Sequence, residues 1–80
     1  MEVLRKRLKE LRLYKKISQK ELAKIIGTNN SSICDWECGR TEPSIEFIVK
    51  LSLFFEVSSD YLLGIENEDG TKITKESIFN

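Results

Sequence analysis

The stretch Ser18 to Gly39, "SQKELAKIIGTNNSSICDWECG", decides the fold because it holds two short helix patterns joined by one tight turn. Ser18, followed three residues later by Glu21, forms a capping box ahead of an apolar run. This signature predicts a helix over Gln19 to Ile26, and Gly27 ends it because glycine tolerates the positive φ of a turn. The residues expected to face inward from this helix are Leu22, Ala23, Ile25 and Ile26.

A second helix follows the turn, with Asn29 or Asn30 as its cap. Ile33 and Trp36 are three residues apart, so they share the face that packs against the preceding helix. Two helices that cross at about 90 to 120° need a small side chain where they approach, and Ala23 supplies it. The residues left on the outward face are Asn30, Ser31, Cys34 and Asp35.

Amphipathic helices are also predicted on both sides of this stretch. Charged residues alternate with apolar ones at helical spacing over about residues 2 to 15. The inward positions of this first helix are Leu4, Leu8, Leu11 and either Tyr14 or Leu13. Pro43 and Ser44 suit the start of a fourth helix. Its inward positions are expected at Ile45, Ile48, Val49, Leu51, Leu53 and Phe55, or at their neighbours.

A fifth, very short helix begins after Ser58 or Ser59 and ends at Gly64, which completes an all-α domain over residues 1–64. The apolar residues of that helix are Tyr61, Leu62 and Leu63. Residues 65–80 form a polar C-terminal tail with a turn signal at Asp69 and Gly70 and isolated apolar residues at Ile73, Ile78 and Phe79. We expect a flexible tail or linker there; a dimerisation segment, as a swapped strand or a docking helix, is the alternative.

Composition limits the class of protein. Eighty residues with 40% hydrophobic and 32% charged content make one small domain with little room for a deep substrate pocket. No apolar run approaches the roughly 18 residues of a membrane span, and the N-terminus has no signal-peptide core, so we expect a cytoplasmic protein. Cys34 and Cys38 are expected to be reduced thiols, because a bridge across one helical turn has unfavourable Cβ directions.

Charge is balanced overall but divided along the chain. Residues 1–27 carry nine Lys and Arg against three Glu, a net charge of +6, whereas residues 28–80 carry four bases against ten acids, a net charge of −6. Such asymmetry indicates a basic side offered to an anionic partner, although a solvated helix face gives the same pattern.

Four segments together resemble the Xre/Cro-like helix-turn-helix family of bacterial and phage repressors. They are "RLKELR", "SQKELAKIIG", "SSICDWECGR" and "EPSIEFIVKLSLFFEVSSDYLLG", and their order and spacing cover about residues 4–64, roughly three quarters of the chain. The resemblance implies a five-helix fold like that of the lambda repressor. It also implies a sequence-specific DNA-binding regulator, a repressor, whose recognition helix at about residues 29–37 lies in the major groove.

The resemblance carries specific roles onto this sequence. The base-contacting positions are Asn30, Ser31 and Asp35, with Cys34 beside them. Asn can bond adenine in a bidentate manner, and Ser is permissive. The backbone-contacting positions are Gln19, which clamps a phosphate, Asn29 and Arg40, flanked by Lys16 and Lys20. The resemblance further implies a partly buried ion pair between Arg12 and Glu37, which joins the first helix to the recognition helix.

The outward face of the recognition helix departs from the family pattern because it has no base and carries Asp35. An acid can accept a hydrogen bond from cytosine N4, but it can also repel phosphate, so we expect modest, strongly salt-dependent nonspecific affinity. The alternative is a helix-turn-helix fold used as a protein-interaction module without specific DNA binding.

Enzyme chemistry has no support in the sequence, which contains no His, no Gly-rich phosphate loop and no nucleophile beside a base. We therefore expect no cofactor and no small-molecule substrate. A zinc site at Cys34 and Cys38 would need two more ligands, which only a second subunit could give. A redox-sensing thiol at Cys34 stays open beside a bystander thiol.

The expected partner is double-stranded DNA with a palindromic operator, and no membrane. One recognition helix reads only a few base pairs, so specificity usually needs two half-sites about 34 Å apart and a two-fold dimer. We expect a homodimer, formed either in solution or only on DNA. If Phe54 or Phe55 is exposed, the patch near "FFEVSSDYLL" is a natural dimer contact.

Overall fold

The computed structural model describes residues 2–75, and five α-helices form its framework. They are α1 (Glu2–Tyr14), α2 (Gln19–Ile26), α3 (Asn30–Cys38), α4 (Ile45–Phe55) and α5 (Ser59–Leu63). The predicted all-α, five-helix architecture is confirmed. Ile78 and Phe79, singled out in the sequence, lie outside the described residues.

Local side-chain caps explain why each helix begins where it does. Ser18 accepts a hydrogen bond from the backbone N–H of Glu21, and the Glu21 carboxylate accepts one from the N–H of Ser18, which completes the predicted capping box. Asn29, not Asn30, caps α3, since its side-chain oxygen accepts from the N–H of Ser32. The remaining caps are Ser44 for α4 and Ser58 for α5. Each cap satisfies a backbone donor that the helix itself leaves free.

The helices enclose one core that all five of them share. α3 packs against α2 and α1, while α5 packs against α1 and α4, so α1 lies between the two ends of the domain. The core residues are Leu4, Leu8, Leu22, Ala23, Ile26, Ile33, Trp36, Ile48, Leu51, Phe55 and Leu62. Trp36 stacks at a tilt on Phe47 with ring centroids 5.3 Å apart, so it anchors α3 from behind.

Several inward positions expected from the sequence are wrong. In α1 the last inward position is occupied by buried Arg12, and both Leu13 and Tyr14 point to solvent. In α4, Ile48, Leu51 and Phe55 form the buried face. In α2 and α4, the positions that were expected to face inward but are exposed are Ile25, Ile45, Val49 and Leu53. Ile45, Val49 and Leu53 repeat every four residues, so they share a neighbouring face of α4, which α1, α2, α3 and α5 leave exposed.

The polar segment after α5 folds back onto the domain over residues 65–73. The N–H of Ile73 donates to the carbonyl of Ile65 over 2.6 Å, and the turn at Asp69 and Gly70 closes the loop. The Arg7 guanidinium donates to the carbonyl of Glu66 over 2.7 Å, which ties this turn to α1. A dimerisation or linker role for the segment stays a prediction.

Within residues 2–75, no helix is both long enough and apolar enough to cross a membrane.

Candidate nucleic-acid interface

The outward face of α3 holds the residues that the sequence assigned to base contact. Asn30 and Ser31 are exposed in its first turn, and Cys34 and Asp35 are half-buried one turn later. The i, i+4 spacing aligns Asn30 with Cys34 and Ser31 with Asp35, so the four side chains form two parallel rows on one surface.

The opposite face of α3 is fixed by apolar packing and by a buried ion pair. Ile33 is fully buried and Trp36 nearly so. Arg12 and Glu37 form the ion pair implied by the resemblance. The Arg12 Nε donates to Glu37 Oε2 over 2.7 Å and its Nη2 donates to Oε1 over 3.0 Å. This bidentate geometry fixes both distance and orientation between α1 and α3.

Arg12 makes a further hydrogen bond, so each nitrogen of its buried guanidinium has an acceptor. Its Nη1 donates to the carbonyl of Ile17 over 2.9 Å, in the connection between α1 and α2. Hydrogen bonding to Glu37 raises the pKa of the Arg12 guanidinium above its usual value, so the charge is permanent. One arginine therefore positions α1, the connection before α2, and α3 together.

Gln19 has a structural partner that the sequence did not reveal. Its Nε2 donates to Glu37 Oε1 over 3.1 Å, which joins the first turn of α2 to the buried ion pair. The amide is half-buried at the start of α2, where unpaired backbone N–H groups and the helix dipole favour an anion. A phosphate contact by Gln19 stays a prediction. The hydrogen bond to Glu37 already fixes the orientation of the amide that would make this contact.

Asp35 is not the isolated acid that the sequence suggested. Arg40, just after α3, donates from Nη1 to Asp35 Oδ1 over 3.1 Å. The pair is open to water, with 69% of the Arg40 side chain and 33% of the Asp35 side chain exposed. The outward face of α3 therefore has a positive charge beside its acid, and a pair this exposed can exchange partners at small cost.

The excess of positive charge in residues 1–27 is only partly available to a ligand. Arg7 donates to backbone carbonyls of α5 and the C-terminal turn and lies over the ring of Tyr61, 4.2 Å from its centroid. Arg12 is buried, and the Lys15 ammonium lies over the Phe54 ring. Arg7 and Arg12 therefore serve the fold, so the charge count overstates the basic surface.

A shallow cleft beside the start of α3 collects the remaining polar groups. Its lining residues are Lys20, Ala23, Lys24, Thr28, Asn29 and Asn30. Lys16 and Lys20 are exposed, as a backbone-contacting role requires. Lys24 and Thr28 were missed in the sequence, although Lys24 lies one helical turn after Lys20 and so on the same side of α2.

Two thiols lie at the C-terminal half of the outward face. Cys34 Sγ and Cys38 Sγ are 3.9 Å apart, and both cysteines are unbridged. The hydrogen bond between them raises the pKa of the Cys34 thiol. Within residues 2–75, no cluster of three or more His, Cys, Asp or Glu side chains could hold a metal ion.

Comparison with known proteins agrees with this geometry. The helix-turn-helix family model matches residues 8–62. The chain is 39% identical over 61 residues to the HTH-type transcriptional regulator ImmR of Bacillus subtilis. This match covers 76% of this chain and 48% of that regulator. It is 37% identical over 62 residues to the repressor protein C2 of Salmonella phage P22. This match covers 78% of this chain and 29% of the repressor. The chain thus spans less than half the length of these two relatives.

Solved structures are similar over a larger share of their length. The P22 c2 repressor in complex with a synthetic operator has a TM-score of 0.72 at 35% identity, covering 78% of this chain and 94% of that chain. The N-terminal DNA-binding domain of SinR from Bacillus subtilis also has a TM-score of 0.72, at 33% identity, covering 79% of this chain and 93% of that chain. With a family match over residues 8–62 and two relatives more than 35% identical over three quarters of its length, the chain belongs to the Xre/Cro-like helix-turn-helix family.

Proposed function

We propose that this chain is a noncatalytic, sequence-specific DNA-binding transcriptional regulator that acts as a repressor and reads the major groove with α3. The observation that carries the proposal is the division of α3 into two faces. Ile33, Trp36 and Glu37 hold it from behind, while Asn30 and Ser31 are exposed at its N-terminal end. Recognition helices of this class contact base edges with their N-terminal residues.

The proposed contacts follow the positions of these side chains. Asn30 is the candidate for bidentate bonding to adenine, and Asp35 for accepting a hydrogen bond from cytosine N4. Lys16, Lys20 and Arg40 are exposed cations that contact the phosphate backbone, with the amides of Gln19 and Asn29 beside them. The similarity to a repressor solved with an operator supports double-stranded DNA as the ligand.

We also propose a homodimer that matches a palindromic operator. The exposed apolar residues of α4 support it, since Ile45 is 84% exposed and Val49 is 48% exposed. They line a shallow apolar groove together with Leu4, Pro43, Ile48 and Leu63. Phe55 is buried and Phe54 half-buried, so the dimer contact shifts from the Phe54–Phe55 patch to this groove. Burying exposed apolar surface is the driving force for such an interface.

Selection of DNA from a random library, followed by fluorescence anisotropy at several salt concentrations, tests the function. We expect enrichment of a palindrome. We also expect the logarithm of the binding constant to fall linearly with the logarithm of the salt concentration. Asn30→Ala should cost about 1–3 kcal/mol of binding free energy and relax specificity at one base pair. Lys20→Ala should weaken binding to all sequences and reduce the salt slope by about one, whereas the control Lys75→Ala should change neither.

Failure to enrich any sequence, together with absence of salt-dependent binding at low ionic strength, would favour the protein-interaction module. Sedimentation velocity with and without the selected DNA tests the dimer. Ile45→Asp should abolish cooperative binding to the full palindrome while leaving single half-site binding intact. Equal loss on both DNAs would mean that the α4 groove is not the dimer contact.

A further inference from the structure

Arg5 is the arginine of α1 whose charge the fold leaves available. Arg7 donates to two backbone carbonyls, and Arg12 is held by Glu37. Arg5 differs from both, because its one ion pair within residues 2–75 is a contact of 4.0 Å between its Nη2 and Glu2 Oε1. The Glu2 side chain is 84% exposed, and that of Arg5 is 43% exposed. A phosphate can therefore displace this carboxylate at small cost.

The side chain of Arg5 lies against the backbone at the end of α3. A Cβ atom at Gly39 would be 3.0 Å from Arg5 Cδ, 3.5 Å from its Nε and 4.0 Å from its Cζ. Gly39 has a φ of +83° and donates its N–H to the carbonyl of Trp36, which ends the helix. Because glycine has no side chain, Arg5 can approach this turn closely. The guanidinium thus lies at the C-terminal end of the proposed recognition helix, although it belongs to α1.

A second arginine is found at the same turn. Arg40 follows Gly39 directly, and 69% of its side chain is exposed. Its bond to Asp35 is open to water, so Arg40 can exchange this partner for another anion. Two arginines, one from α1 and one from the loop after α3, are therefore both adjacent to Gly39.

The surface beside Arg5 has more cations than unpaired acids. A shallow groove next to Arg5 is lined by Glu2, Arg5, Lys6, Lys9, Glu10, Leu13 and Glu37. Glu37 is neutralised by its bidentate bond to Arg12. Three cations then face two acids, and Lys6, Lys9 and both of these acids are exposed. The local field is therefore positive, and Arg5 is its cation nearest to α3.

The helix dipole explains why this end of α3 needs cations to approach DNA. The unpaired carbonyl groups at the C-terminal end of a helix carry a partial negative charge, which disfavours a phosphate nearby. Recognition helices of this class place their N-terminal residues against base edges, so the C-terminal end lies closer to the rim of the groove and its phosphates. Cations at the end of α3 would offset the repulsion.

We propose that Arg5 contacts a DNA phosphate and forms, together with Arg40, a two-arginine site for the sugar-phosphate backbone at the C-terminal end of α3. The planar fork of a guanidinium matches the oxygens of a phosphate group. The contact lies at the opposite end of α3 from the phosphate contacts proposed for Gln19 and Lys20. It rests on the proposed function, because it adds a contact to the same interface.

Anisotropy with the selected operator over a series of salt concentrations tests this contact. The Arg5→Met variant keeps methylene groups against Gly39 but removes the charge. We expect it to weaken binding to every DNA sequence roughly tenfold, as for one charge-assisted hydrogen bond, and to lower the salt slope by about 0.9. Combining Arg5→Met with Arg40→Ala should lower the slope by about twice as much. Arg5→Lys should restore the slope, and the control Lys75→Ala should not change it.

Urea denaturation of the same variants separates the contact from a structural effect. We expect the free energy of unfolding of Arg5→Met to stay close to that of the wild type. A salt slope that is unchanged in Arg5→Met would overturn the proposal even if affinity falls, because Arg5 would then act only by packing on Gly39. An equal decrease in Lys75→Ala would also overturn it, since net charge alone would explain the result. Absence of salt-dependent DNA binding by the wild type would instead refute the proposed function.

Discussion

Two arginine–carboxylate pairs hold opposite sides of α3, and their surroundings give them different roles. The Arg12–Glu37 pair is buried and bidentate, with only 10% and 3% of the two side chains exposed. The Arg40–Asp35 pair has a single bond of 3.1 Å and lies largely in water. The same two chemical groups therefore give a rigid support on one face and an exchangeable contact on the other.

The comparison explains how α3 can be both fixed and adaptable. Removing a buried charge's partner leaves that charge desolvated, so the back of the helix tolerates little change. An exposed pair loses little when broken, because water replaces the partner. In the proposed complex with DNA, Arg40 leaves Asp35 for a phosphate and Asp35 accepts a hydrogen bond from a base, and neither change disturbs the fold.

The largest expected effect is on the buried pair. Arg12→Met should lower the free energy of unfolding by about 3 kcal/mol, because it leaves the Glu37 carboxylate buried without its partner. Urea denaturation followed by circular dichroism measures it. The double variant Arg12→Met with Glu37→Met should recover much of the loss, since no uncompensated charge remains. Additive losses in the double variant would show that packing, not charge, dominates there.

The next largest effect is on the discrimination between base pairs by Asp35, in the exposed Arg40–Asp35 pair. Asp35→Asn should leave the free energy of unfolding nearly unchanged but reduce discrimination at one base pair by about 1–3 kcal/mol, because the amide no longer presents only acceptors to cytosine. Anisotropy with the selected operator and with single-base variants measures it. Unchanged discrimination at every position would exclude Asp35 from base reading.

Arg40→Ala should have a smaller effect, on affinity but not on sequence preference. Stability should fall by less than about 1 kcal/mol, as for other exposed pairs. Affinity should fall similarly for all DNA sequences, and the salt slope should decrease by about one, because one phosphate contact is lost. A stability loss comparable to that of Arg12→Met would contradict the contrast between the two pairs.

The smallest effect concerns Lys72, which forms exposed ion pairs with the carboxylates of Asp60 and Glu66. Hydrogen bonding to Lys72 lowers the pKa of Glu66 below its usual value. A lowered carboxyl pKa contributes stability that is fully present above the unfolded value of about 4.3 and is lost as pH falls through the folded value. The Lys72→Met variant should therefore have a slightly lower melting temperature than the wild type at neutral pH.

Thermal melts of wild type and Lys72→Met over a pH series measure this difference. It should shrink as pH falls through the folded pKa of Glu66, because the protonated carboxyl no longer favours the ammonium, while the contact with Asp60 keeps part of the difference. A difference that stays constant across the acidic range would mean that Lys72 acts through packing of its side chain.

Sequence reasoning was most successful where the relevant contacts are local. Ser18, Ser44 and Ser58 each cap a helix through a bond to the residue three positions on, so their role could be read from neighbours alone. It was least successful on α4, where Val49 and Leu53 were expected inward. An apolar run over nearly the whole helix gives no amphipathic pattern, so only the position of the neighbouring helices selects the buried face.

The sequence by itself determined the five helices, the caps of α2 and α4, and the family, because capping, turns and helical periodicity act over three or four residues. Only the tertiary structure decided the partners of Arg7 and Arg40, whereas the family resemblance already implied the Arg12–Glu37 pair. Arg7 reaches a carbonyl 54 residues away, and Arg40 a carboxylate on the outward face of α3. Long flexible side chains can reach many alternatives, and packing of the core selects which of them lie within hydrogen-bonding distance.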